Sequence, residues 1–114
     1  MHSTPPLFRA EMAGKVVTDF VLDDGELGIS LADGWNISIW CTCALYSFGQ
    51  EVTLSRVNEI SGKSLVSFEG DGSIERLVFS NGLEIVVKLQ KRKVSQPESM
   101  MVCGPNALIV VWND

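Results

Sequence analysis

The chain has 114 residues, 46% of them hydrophobic and 20% charged, with 14 acidic against 9 basic side chains and a formal net charge of −5. One domain fits that length, the apolar content is too high for a disordered chain, and the longest apolar runs, such as Ala107 to Trp112, are far too short for a membrane-spanning helix. An acidic whole repels phosphate backbones, so neither a membrane nor nucleic acid is expected as the main partner.

Residues 1–13 read as an N-terminal arm. Thr4 can cap, Pro5 and Pro6 suit a first turn, Leu7 to Met12 are helix formers and Gly14 is a stop, which allows one or two helical turns. Nothing near Met1 combines a basic start with an apolar block, and three cysteines make no disulfide framework. A cytoplasmic protein with free thiols is therefore expected.

From Gly14 to the end the chain reads as a single β domain, because apolar residues alternate with a period of two between closely spaced turns. A strand from Val16 to Leu22 sets Val16, Phe20 and Leu22 inward, and Asp23-Asp24-Gly25 supplies a turn. The next strand turns Leu27, Ile29 and Leu31 inward, and Ala32-Asp33-Gly34 leads to a third that aligns Trp35, Ile37, Ile39, Cys41 and Cys43. Ala44 to Gln50 reads as a loop with Leu45, Tyr46 and Phe48, and Glu51 to Val57 as a strand with Val52 and Leu54 inward.

The meander then recurs 48 residues on: Gly14-Lys15 returns as Gly62-Lys63, Phe20 as Phe68 and Asp33-Gly34 as Asn81-Gly82. Ile29, Leu31, Trp35, Ile37, Ile39 and Cys41 return as Leu77, Phe79, Leu83, Ile85, Val87 and Leu89. An internal repeat of 14–41 and 62–89 follows from this constant phase, against the alternative that turn glycines make any two meanders look alike. After a polar connection carrying Lys91, Arg92, Lys93 and Pro97, two strands flank Gly104-Pro105-Asn106, and the last is apolar on both faces, as a central strand would be. About eight short strands predict an all-β fold, an antiparallel β-sandwich first and a partly closed barrel second.

Chemistry is sparse. His2 is the only histidine, no glycine run has phosphate-loop spacing, and no catalytic residue or cofactor is assigned. Cys41-Thr42-Cys43, with Cys103 elsewhere, lacks a fourth ligand for zinc and reads as core thiols, with no metal. Asp19, Asp23, Asp24, Glu26 and Asp33 gather in the first meander, either as solvated turn formers or as an acidic binding surface. Trp40 falls on the face opposite Trp35, with Tyr46 and Phe48 just beyond. Outward aromatics beside an acidic hairpin compose a protein-binding hot spot unless the second sheet covers Trp40.

The repeated unit, Gly-Lys, alternating strand, Asp-Gly, strand, Asp/Asn-Gly and Ile-x-Ile or Ile-x-Val between Gly14 and Leu89, resembles small bacterial all-β families, some of them immunity proteins encoded beside secreted toxins. That resemblance implies a stoichiometric inhibitor whose carboxylates mimic phosphate and cover the active cleft of a basic toxin such as a nuclease. Asp19, Asp23, Asp24, Glu26 and Asp33 would then steer and Trp40 and Tyr46 anchor. The other readings are an assembly domain that forms a homodimer through an aromatic sheet face, and a small-ligand or enzymatic barrel.

Overall fold

A computed structural model describes residues 7–23, 26–89 and 98–113. Among the described residues, ten antiparallel strands form two five-stranded sheets, packed as an open sandwich. They are β1 (Val17–Asp23), β2 (Glu26–Leu31), β3 (Trp35–Ile39), β4 (Cys43–Ser47), β5 (Gln50–Val52), β6 (Leu65–Gly70), β7 (Ile74–Phe79), β8 (Leu83–Lys88), β9 (Glu98–Cys103) and β10 (Ile109–Asn113). The first sheet runs β1-β2-β3-β9-β10 and the second β5-β4-β8-β7-β6. The sandwich is thus as expected, with more strands than the eight anticipated and without barrel closure.

Alternation drives the core. Leu27, Ile29, Leu31, Trp35, Ile37 and Ile39 of the first sheet are buried against Leu77, Phe79, Leu83, Ile85 and Val87 of the second. Truncation of Ile37 or Ile85 to alanine should each cost about 2–5 kcal/mol in urea denaturation, from lost burial plus the cavity left behind. A helix, α1 (Leu7–Met12), adds Phe8 and Met12 to the same core. The caps anticipated at Thr4, Pro5 and Pro6 lie outside the described residues.

The meanders β1-β2-β3 and β6-β7-β8 repeat each other's geometry. Val17 pairs with Leu31 and Leu65 with Phe79, Phe20 with Ile29 and Phe68 with Leu77, each at the 48-residue offset. Both first strands carry a bulge at the same place, between Val17 and Asp19 and between Leu65 and Ser67. Hydrogen bonds across the junction are reciprocal: Gly14 N donates to Leu65 O at 2.6 Å and Gly62 N to Val17 O at 2.9 Å. Val17 N donates to Lys63 O, and Leu65 N to Lys15 O, both at 2.8 Å. The hairpins are exchanged as well: β4-β5, which follows β3, pairs with β8, while β9-β10, which comes after β8, pairs with β3. Each meander is completed by the hairpin that follows the other.

Four local expectations need correction. The bulge after Val17 shifts the phase at the start of β1, so Val17 is buried and Val16 is 41% exposed, while Phe20 and Leu22 keep the expected inward side opposite Ile29 and Leu27, Phe20 half-buried and Leu22 42% exposed. The third strand stops at Ile39 and the chain crosses to the other sheet, where Cys43 opens β4. What reads as a loop and a strand between Ala44 and Val57 is the β4-β5 hairpin followed by a 3-10 helix, Leu54–Ile60, which buries Val57 and Ile60 at a spacing of three. Finally, β10 is an edge strand rather than a central one, with Val110 buried while Ile109 is 59% exposed.

The turns follow their residues. Asp33 and Gly34 adopt φ of 65° and 85° in the β2-β3 turn, and Asn106 takes 62° after Pro105. Between β6 and β7 the Asp71 carboxylate accepts hydrogen bonds from Ile74 N at 3.0 Å, Ser73 N at 2.9 Å and Ser73 Oγ at 3.0 Å. These donors favour the charged form, Ile74 N foremost, and hold the pKa down to about 2. A folded pKa below the unfolded one stabilises above the ordinary carboxylate range, and that support is lost as pH falls through about 2. A carbon NMR titration of Asp71 should show its midpoint near 2; a midpoint near 4, the ordinary aspartate value, would contradict the turn geometry.

Candidate functional site

At the end of the sandwich where β1 turns into β2 and β3 crosses toward β4, the two layers leave a cleft of about 510 Å³. It is lined by the aliphatic Leu22, Leu27, Ile39 and Leu54, by Trp40, Cys41, Thr42 and Cys43 of the crossing segment, and by Asp23 and Glu26 on either side of the β1-β2 turn. Local sequence dictates the pieces. Period-two alternation sends Leu27 and Ile39 to the interior and leaves Glu26 outside, where it is exposed. Trp40 is held where the chain leaves the first sheet, with its N–H donating to Ser99 O at 2.9 Å, and its side chain remains half-buried.

The expected site residues therefore divide. Asp23, Glu26 and Trp40 meet at the cleft. Asp19 lies on the outer face of the first sheet, beside a shallow depression that it shares with Asp23, Glu26 and Gly28, and its Oδ1 accepts from Phe20 N at 2.8 Å. Asp33 is at the opposite end of β2 from Glu26 and is paired with Lys15 Nζ at 2.6 Å, an exposed ion pair of little energetic weight. Tyr46, half-buried, is on β4 with Leu45 pointing inward, so it faces outward from the second sheet, across from Glu51 and Glu84. Phe48 is 83% exposed at a turn. The aromatic cluster is thus split between sheets. Asp24, and Lys91 to Lys93, lie outside the described residues.

Cys41 and Cys43 are half-buried against the core, and burial pushes the Cys43 thiol up. A thiol held protonated is a poor nucleophile. Cys103 sits on β9 across from Asn36, outside the cleft lining. Among the described residues, no three of the histidine, cysteine, aspartate and glutamate side chains gather as a metal site.

A second polar cluster was not anticipated. Glu75 points inward from β7 and is fully buried. Arg9 of α1 meets it with both nitrogens, Nη1 to Oε1 at 2.6 Å and Nη2 to Oε2 at 3.1 Å, and Trp112 Nε1 donates to Oε2 at 3.3 Å. The guanidinium carbon is 5.0 Å from the Phe8 ring centroid, 4.8 Å from that of Phe68 and 6.0 Å from that of Trp112. Gly70 opposes Glu75 in the ladder, and a Cβ there would overlap the carboxylate. The sequence does hold a signal: Glu75 occupies an inward phase with Leu77 and Phe79, at the position matching Leu27.

Comparison of the chain with protein families, curated proteins and solved structures found no match. Fold and site together describe a two-sheet antiparallel sandwich with an acidic, tryptophan-lined cleft at one end. Among the described residues, no helix is long and apolar enough to cross a membrane.

Proposed function

We propose that this chain is a non-enzymatic binding module for a basic protein, docking at the open end of the sandwich. One observation carries the reading: Asp23, Glu26 and Trp40 line one cleft together with the aliphatic Leu22, Leu27, Ile39 and Leu54. Charge at a rim steers a basic partner, and a partly buried tryptophan beside aliphatic side chains is the kind of group that anchors one. The narrower form is a cytoplasmic immunity protein that neutralises a basic toxin such as a nuclease by blocking its cleft. The net charge of −5 favours encounter with such a partner. We also infer that the two meanders descend from one duplicated unit, a reading supported by their matching registers, bulges and reciprocal hydrogen bonds.

The test is association with a basic toxin encoded beside this chain, followed by stopped-flow at increasing salt. Tight one-to-one binding whose association slows with salt is expected, without turnover of the partner. Binding insensitive to salt would remove the acidic mechanism.

A further inference from the structure

An open sheet has two edges, and a strand left at an edge presents unpaired N–H and C=O groups to any other strand that fits. Among the described residues, three of the four edge strands carry features that discourage such pairing. β1 is bulged between Val17 and Asp19 and carries the Asp19 carboxylate, β6 is bulged between Leu65 and Ser67 and carries Glu69, and β5 has three residues with Glu51 at its centre. Along Ile109 to Trp112, β10 has none of these. It is uncharged, it holds one register against β9, and Ile109 and Val111 are 59% and 40% exposed. The shared framework does not require this. β5 is the matching strand of the other half, since Val52 reaches Ile85 through Leu45 as Val110 reaches Ile37 through Val102, and there Glu51 stands where β10 has Ile109.

The hydrogen-bond phase of this edge is fixed by its neighbours. Trp40 N donates to Ser99 O and Gly104 N to Leu108 O, both at 2.9 Å. By the alternation of an antiparallel ladder, Met101 and Cys103 then turn their N–H and C=O groups to β3, and Val110 and Trp112 turn theirs to β9. The N–H and C=O groups of Ile109 and Val111 therefore point to the open side. We propose that β10 pairs antiparallel with β10 of a second copy, two-fold symmetric about Val111, and joins two five-stranded sheets into one of ten strands. The strand is its own complement. The two Val111 residues exchange backbone hydrogen bonds, and on the inner face Val110 of each copy lies across from Trp112 of the other, a β-branched and aromatic pair of the kind that stabilises ladders. Each copy has a net charge of −5, yet the contact strand from Ile109 to Trp112 is uncharged, which keeps like charges off the seam. Five residues per copy bury less than the roughly 1,600 Å² of a standard interface, so the dimer is a transient one of micromolar rather than nanomolar affinity. β1 and β10 are opposite edges of the first sheet, so pairing leaves the β1-β2 end open and stands independently of the docking reading above.

The experiment is sedimentation velocity of the full chain over a range of concentrations, with amide hydrogen exchange of Ile109 and Val111 followed by NMR. A reversible shift from monomer to dimer is expected, and protection of the two amides should rise in parallel with it. Salt should tighten the dimer, because it screens two copies of net charge −5, the reverse of its expected effect on association with a basic partner. Val111→Pro removes an N–H that faces the open side and none that bonds to β9, which an edge strand tolerates. Ile109→Lys sets a charge beside the seam at an exposed position, and it keeps the test decisive if the proline variant does not fold. Each should weaken the dimer about tenfold or more, whereas Val21→Lys on the opposite edge, where Val21 is 57% exposed, should leave it unchanged. Slow amide exchange in β3 and β8 verifies that each variant is folded. A chain that stays monomeric up to roughly 1 mM, the weak end of specific association, overturns the pairing. A dimer indifferent to both substitutions also overturns it, since the contact would then be another face, and species that grow beyond the dimer overturn the closed two-fold seam. Equal protection of Val111 at every concentration overturns it too, because another segment of the same chain would then cover the edge, as does a basic partner that protects Val111 while the chain alone stays monomeric.

Discussion

Arg9→Ala should destabilise the protein by about 3–5 kcal/mol, because it strands a fully buried carboxylate. Glu75 would keep only Trp112 Nε1 at 3.3 Å and the Gly72 N–H at 3.4 Å, neither of which neutralises a charge in the core. The reverse change is milder. Arg9 is 22% exposed, so after Glu75→Leu its head group can turn to water, and about 1–3 kcal/mol is expected. The double variant Arg9→Val with Glu75→Leu should return to within about 1 kcal/mol of the parent, since buried ion pairs replaced by apolar side chains are often neutral or better. At the 48-residue offset Glu75 matches Leu27, which is buried in the same core. Urea denaturation of the four proteins in this cycle gives the coupling directly. A deficit below about 1 kcal/mol for Arg9→Ala would mean that the pair does not pin α1 to the sandwich.

Trp40→Ala should weaken partner binding by about 2 kcal/mol or more, near thirtyfold, and mainly by faster dissociation. Trp40 lines the cleft, so truncation removes a large side chain at the proposed contact. Asp23→Asn with Glu26→Gln should act on the other limb, lowering the association rate and flattening its salt dependence, because exposed rim charges steer rather than hold. Stopped-flow association and dissociation against the cognate basic protein separate the two. If all three substitutions leave both rates within about a factor of two, the contact surface is elsewhere on the molecule. Tyr46→Ala is a useful companion, because Tyr46 faces out from the second sheet and does not line the cleft. It should leave both rates unchanged if docking is confined to that end.

Much of the architecture was legible residue by residue. Period-two alternation identified the inward sets of β2, β3, β7 and β8, because a strand half-buried in a two-layer sandwich has no other way to segregate its side chains. The 48-residue phase located matching positions that share register and bulge. Asp23 and Glu26 were readable as an acidic hairpin end, whereas Trp40, expected on the third strand, lies just past its end at Ile39.

Other features were hidden for physical reasons. Trp35 to Cys43 alternates without interruption, yet the chain changes sheets within it. Two opposed sheets bury their inner faces in one core, so the inward phase is the same whether a strand continues or crosses over. The bulge in β1 changes which residues face in without any residue that demands it. Edge or central placement of β10 depends on where the hairpin attaches, not on its own apolar residues. Leu54 reaches the cleft from a segment far from Trp40 in sequence, and Tyr46, though near, is carried to the outer face of the second sheet. By itself, then, the sequence determined the alternating strands of the two meanders, the turn at Asp33-Gly34 and most of their inward residues, because each depends on neighbours a few residues apart. Only the tertiary structure decided which sheet each hairpin completes, that Arg9 meets Glu75, and which carboxylates share a cleft with Trp40, because these depend on the packing of segments that alternation alone leaves interchangeable.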